Sequence, residues 1–194
     1  MRWILALLLA ASMLVTPETG SASAQSAANH DFDFLIGAWK TRIRTLGPGG
    51  KWIAIDGIVT NRKLWNGKAD LEEIEASSSA FEGMTLRLYD PSAKQWNLYW
   101  ASSDDGNVDV PSVGAFEKGR GTFYSHELID GVATYVRQVY FDATPTTYKF
   151  EQSFSHDAGK TWKPNFEASL TRANPGSVAV YPKASEPLQQ HGFD

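Results

Sequence analysis

Turn chemistry interrupts this chain so often that no long amphipathic helix fits between the interruptions. Gly47-Pro48-Gly49-Gly50, Asn66-Gly67, Asp90-Pro91 and Asp130-Gly131 are each groupings that favour tight turns. The segments between them alternate with a two-residue period, the mark of a half-buried strand. Trp39, Thr41 and Ile43 fall on one face, with Lys40, Arg42 and Arg44 on the other. Met84, Leu86 and Leu88 oppose Thr85, Arg87 and Tyr89, and Trp96, Leu98 and Trp100 share one side of the strand after it. Further strands are expected at 51–64, 69–76, 114–118, 121–128, 133–141, 147–154 and 162–172. Gly57, inside one of them, is expected to mark a bulge or bend. An all-β chain of sequential hairpins without crossover helices makes an antiparallel sheet. At about 8–10 strands the favoured solution is an up-and-down barrel, because closure removes both edges and can enclose a cavity. A β-sandwich is the alternative.

The two ends read differently from the body. Arg2 precedes an apolar run from Trp3 to Val15, and Ala22-Ser23-Ala24 has the small-x-small pattern of a signal-peptidase site. Residues 1–24 are therefore expected to be a cleaved signal peptide, 25–29 a leader, 30–172 the barrel, and 173–194 an extended or disordered tail. The apolar run is too short for a comfortable membrane span, so none is expected in the mature chain. The 194-residue chain contains no cysteine, which excludes disulfides, thiolate metal sites and a lipid anchor on cysteine. A periplasmic or secreted protein held together by its core alone is the expectation. Its net charge is −4 and its basic residues are scattered, which argues against nucleic acid as a partner.

The segment 30–36, His-Asp-Phe-Asp-Phe-Leu-Ile, leads into Gly37 and then the first strand. A short helical turn over 31–36 is expected to cap one end of the barrel. Gly37 allows close backbone approach, and the Trp39 indole two residues later turns into the core. Gly37-x-Trp39 with Arg172 at the end of the last strand resembles the calycin signature. In those lipocalin-like barrels a basic residue of the final strand packs over the tryptophan of the first. More specifically, the chain resembles the bacterial domain of unknown function 1579 family. The matching segments are His30-Asp-Phe-Asp-Phe-Leu-Ile-Gly-Ala-Trp39, Leu86-Arg-Leu-Tyr-Asp-Pro91 with Trp96 and Tyr99-Trp100, and Glu151-Gln-Ser-Phe-Ser155 through Trp162. The resemblance implies a lipocalin-like barrel and brings no catalytic residues with it.

Candidate chemistry is sparse. Ser155-x-Asp157-x-Gly159-x-Thr161-Trp162 matches an Asp-box, which propeller enzymes repeat blade by blade. A single copy reads as a structural hairpin. Asp104, Asp105 and Asp109 lack the ligand register of a calcium loop. His30, His126, His156 and His191 show no metal-ligand spacing, so no metal or cofactor is expected. Arg137 shares a face with Tyr135, Val139 and Phe141, and Gln152 with Tyr148, Phe150 and Phe154. Read as inward, these polar groups require partners, Glu73 or Glu75 for Arg137, or else contact a bound molecule.

The leading expectation is an exported carrier of a small apolar or amphipathic molecule. Its cavity would be lined by Trp52, Trp96, Trp100, Tyr135, Phe150 and Phe166, with Arg137 and Gln152 as polar contacts. A cofactor-free lyase, isomerase or hydratase acting on a small organic compound is the alternative, with His126, Glu75 or Glu151 available for acid–base work. A third reading is a structural or partner-binding envelope protein with a filled barrel. An open interior would separate the first two from the third.

Overall fold

The computed structural model describes residues 30–76, 82–104 and 106–174. The expected signal peptide and leader, and the tail beyond Asn174, lie outside the described residues. Ten strands follow one 3-10 turn at Asp33–Leu35: β1 Gly37–Leu46, β2 Trp52–Leu64, β3 Ala69–Ala76, β4 Glu82–Asp90 and β5 Gln95–Ser102, then β6 Ser112–Glu117, β7 Arg120–Ile129, β8 Val132–Phe141, β9 Thr147–Ser155 and β10 Lys163–Arg172. Each pairs antiparallel with its chain neighbours, and β1 pairs with β10, so the sheet closes as an up-and-down barrel. This is the closed antiparallel barrel that the turn spacing predicts.

Alternation along each strand divides residues between interior and surface. Trp39, Thr41 and Ile43 are buried while Lys40, Arg42 and Arg44 are exposed. The register runs without a break through Gly57, which faces Thr41 on one side and Ala76 on the other. Gly57 is thus no bulge. A Cβ there would stand 2.5 Å from the Glu75 carbonyl oxygen, so glycine serves close strand approach.

The N-terminal turn closes one end of the barrel. Phe32 and Leu35 are both buried, and the Phe32 ring centroid lies 4.9–5.8 Å from those of Trp96, Phe116, Phe123 and Tyr140. Edge-to-face contacts of this kind add to area burial in fixing the plug. The Trp39 Nε1–H donates to the Leu35 carbonyl at 2.6 Å. Arg172 then covers the Trp39 indole and donates to the carbonyls of Ile36, Phe34 and Pro145 at 2.9, 3.0 and 2.8 Å. The calycin resemblance implies this packing of Arg172 on Trp39.

At the opposite end the Asp-box is a hairpin. Asp157 accepts hydrogen bonds from the Thr161 N–H and hydroxyl and from Ser155, which hold its carboxyl down at about 2. Its donors are all local, as a structural turn requires.

Candidate functional site

Beyond the plug the barrel is not packed solid. It encloses a cavity of about 700 Å³. Ile43, Val59, Leu98, Phe150, Phe166 and Leu170 supply much of its apolar wall, each from the inward face of its strand. Val110, Leu128 and Ile129 stand where the strands end away from the plug. Leu128 is 75% exposed, which marks this end as the mouth.

The deep end is polar. β2, β3 and β4 bring Asn61, Asp70, Glu72 and Arg87 together, with Asp70 directly opposite Arg87 in the ladder. Arg87 is wholly buried. It donates to Asp70 at 2.7 Å, to Asn61 at 3.0 Å, to Glu72 at 2.5 Å and to the Tyr140 hydroxyl at 3.2 Å. Its guanidinium also lies over the Phe32 ring at 4.9 Å, tying the cluster to the plug. Burial works against the charged guanidinium, yet Glu72 and the other acidic groups around it raise its pKa well above the usual value. Burial, helped by the like charges of Glu72 and Asp33, pushes the Asp70 carboxyl up despite the adjacent Arg87 cation.

Glu72, Thr85 and Tyr140 reach from this cluster into the cavity wall, and Thr85 donates to Glu72 at 3.3 Å. Tyr140 is pushed up to about 12, chiefly by burial, and burial also raises Tyr148 well above its ordinary value. Both line the cavity as neutral hydroxyls. Thr41 joins them with a buried hydroxyl oxygen that has no hydrogen-bond partner. Gln138 and Gln152 pair across β8 and β9 at 3.3 Å on the adjoining wall.

The sequence-named residues divide between the two faces of the sheet. Trp100, Phe150, Gln152 and Phe166 line the cavity. Trp96 lies deeper, against Phe32, with its indole N–H on Asp31 at 3.1 Å. Trp52 is exposed on the surface under the Arg44 guanidinium.

The inward placement of Tyr135 and Arg137 is corrected. The register of β8 turns Thr134, Val136, Gln138 and Tyr140 inward, leaving Tyr135 exposed against His126, with ring centroids 4.5 Å apart. Arg137 lies on the same outer face, 3.4 Å from Glu151 and over the Trp162 ring. Its partner is Glu151, not Glu73 or Glu75. His126, Glu75 and Glu151 all stand on the outward side of their strands. Arg87, Asp70 and Glu72 are the groups the sequence reading missed. The signal available was a pair of acids two apart on one strand facing an arginine on the next.

Among the described residues no group of histidines and carboxylates is placed to hold a metal ion. Asp109 lines the cavity, Asp104 is exposed in the loop before it, and Asp105 lies outside the described residues. Also among the described residues, no helix is long and apolar enough to cross a membrane.

No family model matches the chain, and no curated protein matches it in sequence. Solved structures do. Rv2717c from M. tuberculosis is similar over 78% of this chain and 98% of its own, with 14% identity and a TM-score of 0.51. The S-type phycobiliprotein lyase CPES from Guillardia theta aligns over 80% of this chain and 98% of its own, with 11% identity and a TM-score of 0.48. What Rv2717c shares with this chain is the fold. At such identities the likeness says nothing of the ligand or the reaction, which rest on the site.

Proposed function

We propose that this protein is an exported carrier of a small apolar or amphipathic molecule, held in the barrel. The observation that carries this reading is the cavity of about 700 Å³, a size suited to a small ligand. Its walls are largely apolar, and at its closed end Glu72, Thr85 and Tyr140 are held by hydrogen bonds to one another or to Arg87. Such a site orients a molecule that has one polar end. Export is supported by the signal-peptide pattern of residues 1–24. Membership of the domain of unknown function 1579 family is part of the same proposal, supported by the quoted segments and by the Trp39–Arg172 packing.

The test is native mass spectrometry of the mature protein purified from its own envelope, beside its denatured mass. A reproducible extra mass lost on denaturation is expected. A bare mass from several growth conditions would sink the carrier reading.

One observation favours a second reading, the cofactor-free lyase, isomerase or hydratase. Glu72 is a cavity carboxylate within hydrogen-bond reach of Thr85 and beside the hydroxyl-bearing Tyr140. A base and a neutral donor at one end of an apolar pocket can move a proton on a bound compound. Turnover of a substrate panel, lost on Glu72→Gln, would establish it.

A further inference from the structure

Resting on the carrier reading, the charge of the cavity narrows the class of molecule it takes. Among the described lining residues three are carboxylates, Glu72 at the closed end and Asp109 and Glu127 elsewhere in the wall. None of the described lining residues is a lysine, arginine or histidine. The guanidiniums nearest the closed end stand behind the wall. Arg87 directs its terminal nitrogens to Asp70, Glu72, Asn61 and Tyr140, and Arg172 directs its own to backbone carbonyls. One guanidinium set against two carboxylates leaves an excess of negative charge, and Glu72 carries it on the cavity side.

Glu72 accepts from Thr85 and Arg87, while an ionised carboxylate has about four acceptor sites. It therefore keeps capacity for a further donor. Thr41, 3% exposed and lining the same cavity, carries a hydroxyl oxygen with no partner. At the closed end of the cavity a carboxylate or phosphate head would meet like charge, and an ammonium head would meet its complement.

We propose that the cavity selects a hydrophobic amine, an apolar body bearing a protonated amino group that rests on Glu72. The acids at Asp109 and Glu127 favour entry of the same charge. An apolar anion such as a fatty carboxylate is discriminated against.

The experiment compares dodecylamine, dodecanol and dodecanoate, kept below their micelle-forming concentrations, by isothermal titration calorimetry on the full mature protein. The amine is expected to bind at least roughly tenfold more tightly than the carboxylate, a margin readily resolved in affinity, with the alcohol between. Glu72→Gln is expected to bring the amine to the level of the alcohol. Glu127→Gln, further from the buried cluster, should narrow the amine-to-carboxylate ratio less, and keeps the idea testable where Glu72→Gln fails to fold. Carboxylate binding equal to or tighter than amine binding overturns the amine inference and leaves the carrier reading standing. Failure of all three probes to bind overturns the inference too, while the native mass measurement still decides the carrier reading by itself.

Discussion

The guanidinium carbon of Arg172 stands 4.1 Å from the centroid of the Trp39 indole, so the last strand is clamped onto the first across the seam of the barrel. The same guanidinium satisfies three carbonyls, two of them from the turn that plugs the end. Arg172→Met keeps the apolar stem but leaves those acceptors unmatched and removes the cation over the ring. A loss of about 2–3 kcal/mol is expected, measured by urea unfolding. Arg172→Lys should recover less than half, because an ammonium cannot fork to several carbonyls. Gly37 belongs to the same clamp: its φ is +118° and a Cβ would sit 2.9 Å from Arg172 Nη1. Gly37→Ala is therefore expected to cost less in the Arg172→Met background than alone. An unchanged midpoint for Arg172→Met would show that the clamp contributes nothing.

Arg87 is held by two carboxylates with its side chain fully buried. Removing it leaves Asp70 and Glu72 facing each other without a cation. Arg87→Met is expected to destabilise the fold by about 3–5 kcal/mol, the usual cost of an uncompensated buried charge. Adding Asp70→Asn should restore a substantial part, since one of the two stranded charges is then gone. Chemical denaturation of the single and double variants checks this. Equal instability of the two would mean that packing, not charge, is what Arg87 supplies.

The contrast between Arg87 and Arg137 locates what was legible in the chain. Strand positions, the turns and the plug followed from two-residue alternation and turn residues, which act locally, while the Trp39–Arg172 pair was implied by the calycin resemblance. Which face of a strand points inward is a different matter when both faces carry aromatic or apolar groups. On β4, Met84, Leu86 and Leu88 make the greasier face, yet Thr85, Arg87 and Tyr89 point in, because the buried cluster satisfies Arg87. On β8, Tyr135 and Phe141 made the wrong face look interior. A shift of one residue moves a strand's entire side-chain set to the other surface. The register that decides it is set around the closed barrel, where Arg87 meets Tyr140 from a strand on the other side. No local pattern encodes that meeting.

The two buried tyrosines set an alkaline limit on stability. Burial pushes Tyr140 up to about 12 in the fold against an ordinary value of 10.0, and raises Tyr148 well above that ordinary value too. A pKa raised by folding means that the native state holds its proton longer than the unfolded chain. The contribution is fully present below the unfolded value and fades as pH climbs from there through the folded value. Stability should thus fall steeply above about pH 10, where the unfolded chain begins to lose tyrosine protons. Tyr140→Phe should flatten part of that fall. Denaturant midpoints across the alkaline range, with tyrosinate absorbance followed alongside, test this. Ionisation of every tyrosine before unfolding begins would contradict it.

The last prediction separates the inner from the outer candidates. Ala168 lies on the inward face of β10 and lines the cavity beside Phe150 and Phe166. Ala168→Phe projects a ring into space that is already open, so its stability cost should stay under about 2 kcal/mol, at the mild end for overpacking. Ligand affinity, by contrast, should drop by at least about tenfold, because the ring takes up volume that the molecule needs. Arg137→Ala makes the matched control on the outer face. Its ion pair with Glu151 is long, at 3.4 Å, and partly exposed. Such pairs contribute roughly 0–1 kcal/mol, so a small stability change is expected, with bound-ligand stoichiometry unaltered. Native mass spectrometry of the two variants from the same envelope reads both results at once. Loss of ligand from Arg137→Ala, with retention in Ala168→Phe, would move the binding site from the barrel's interior to its surface.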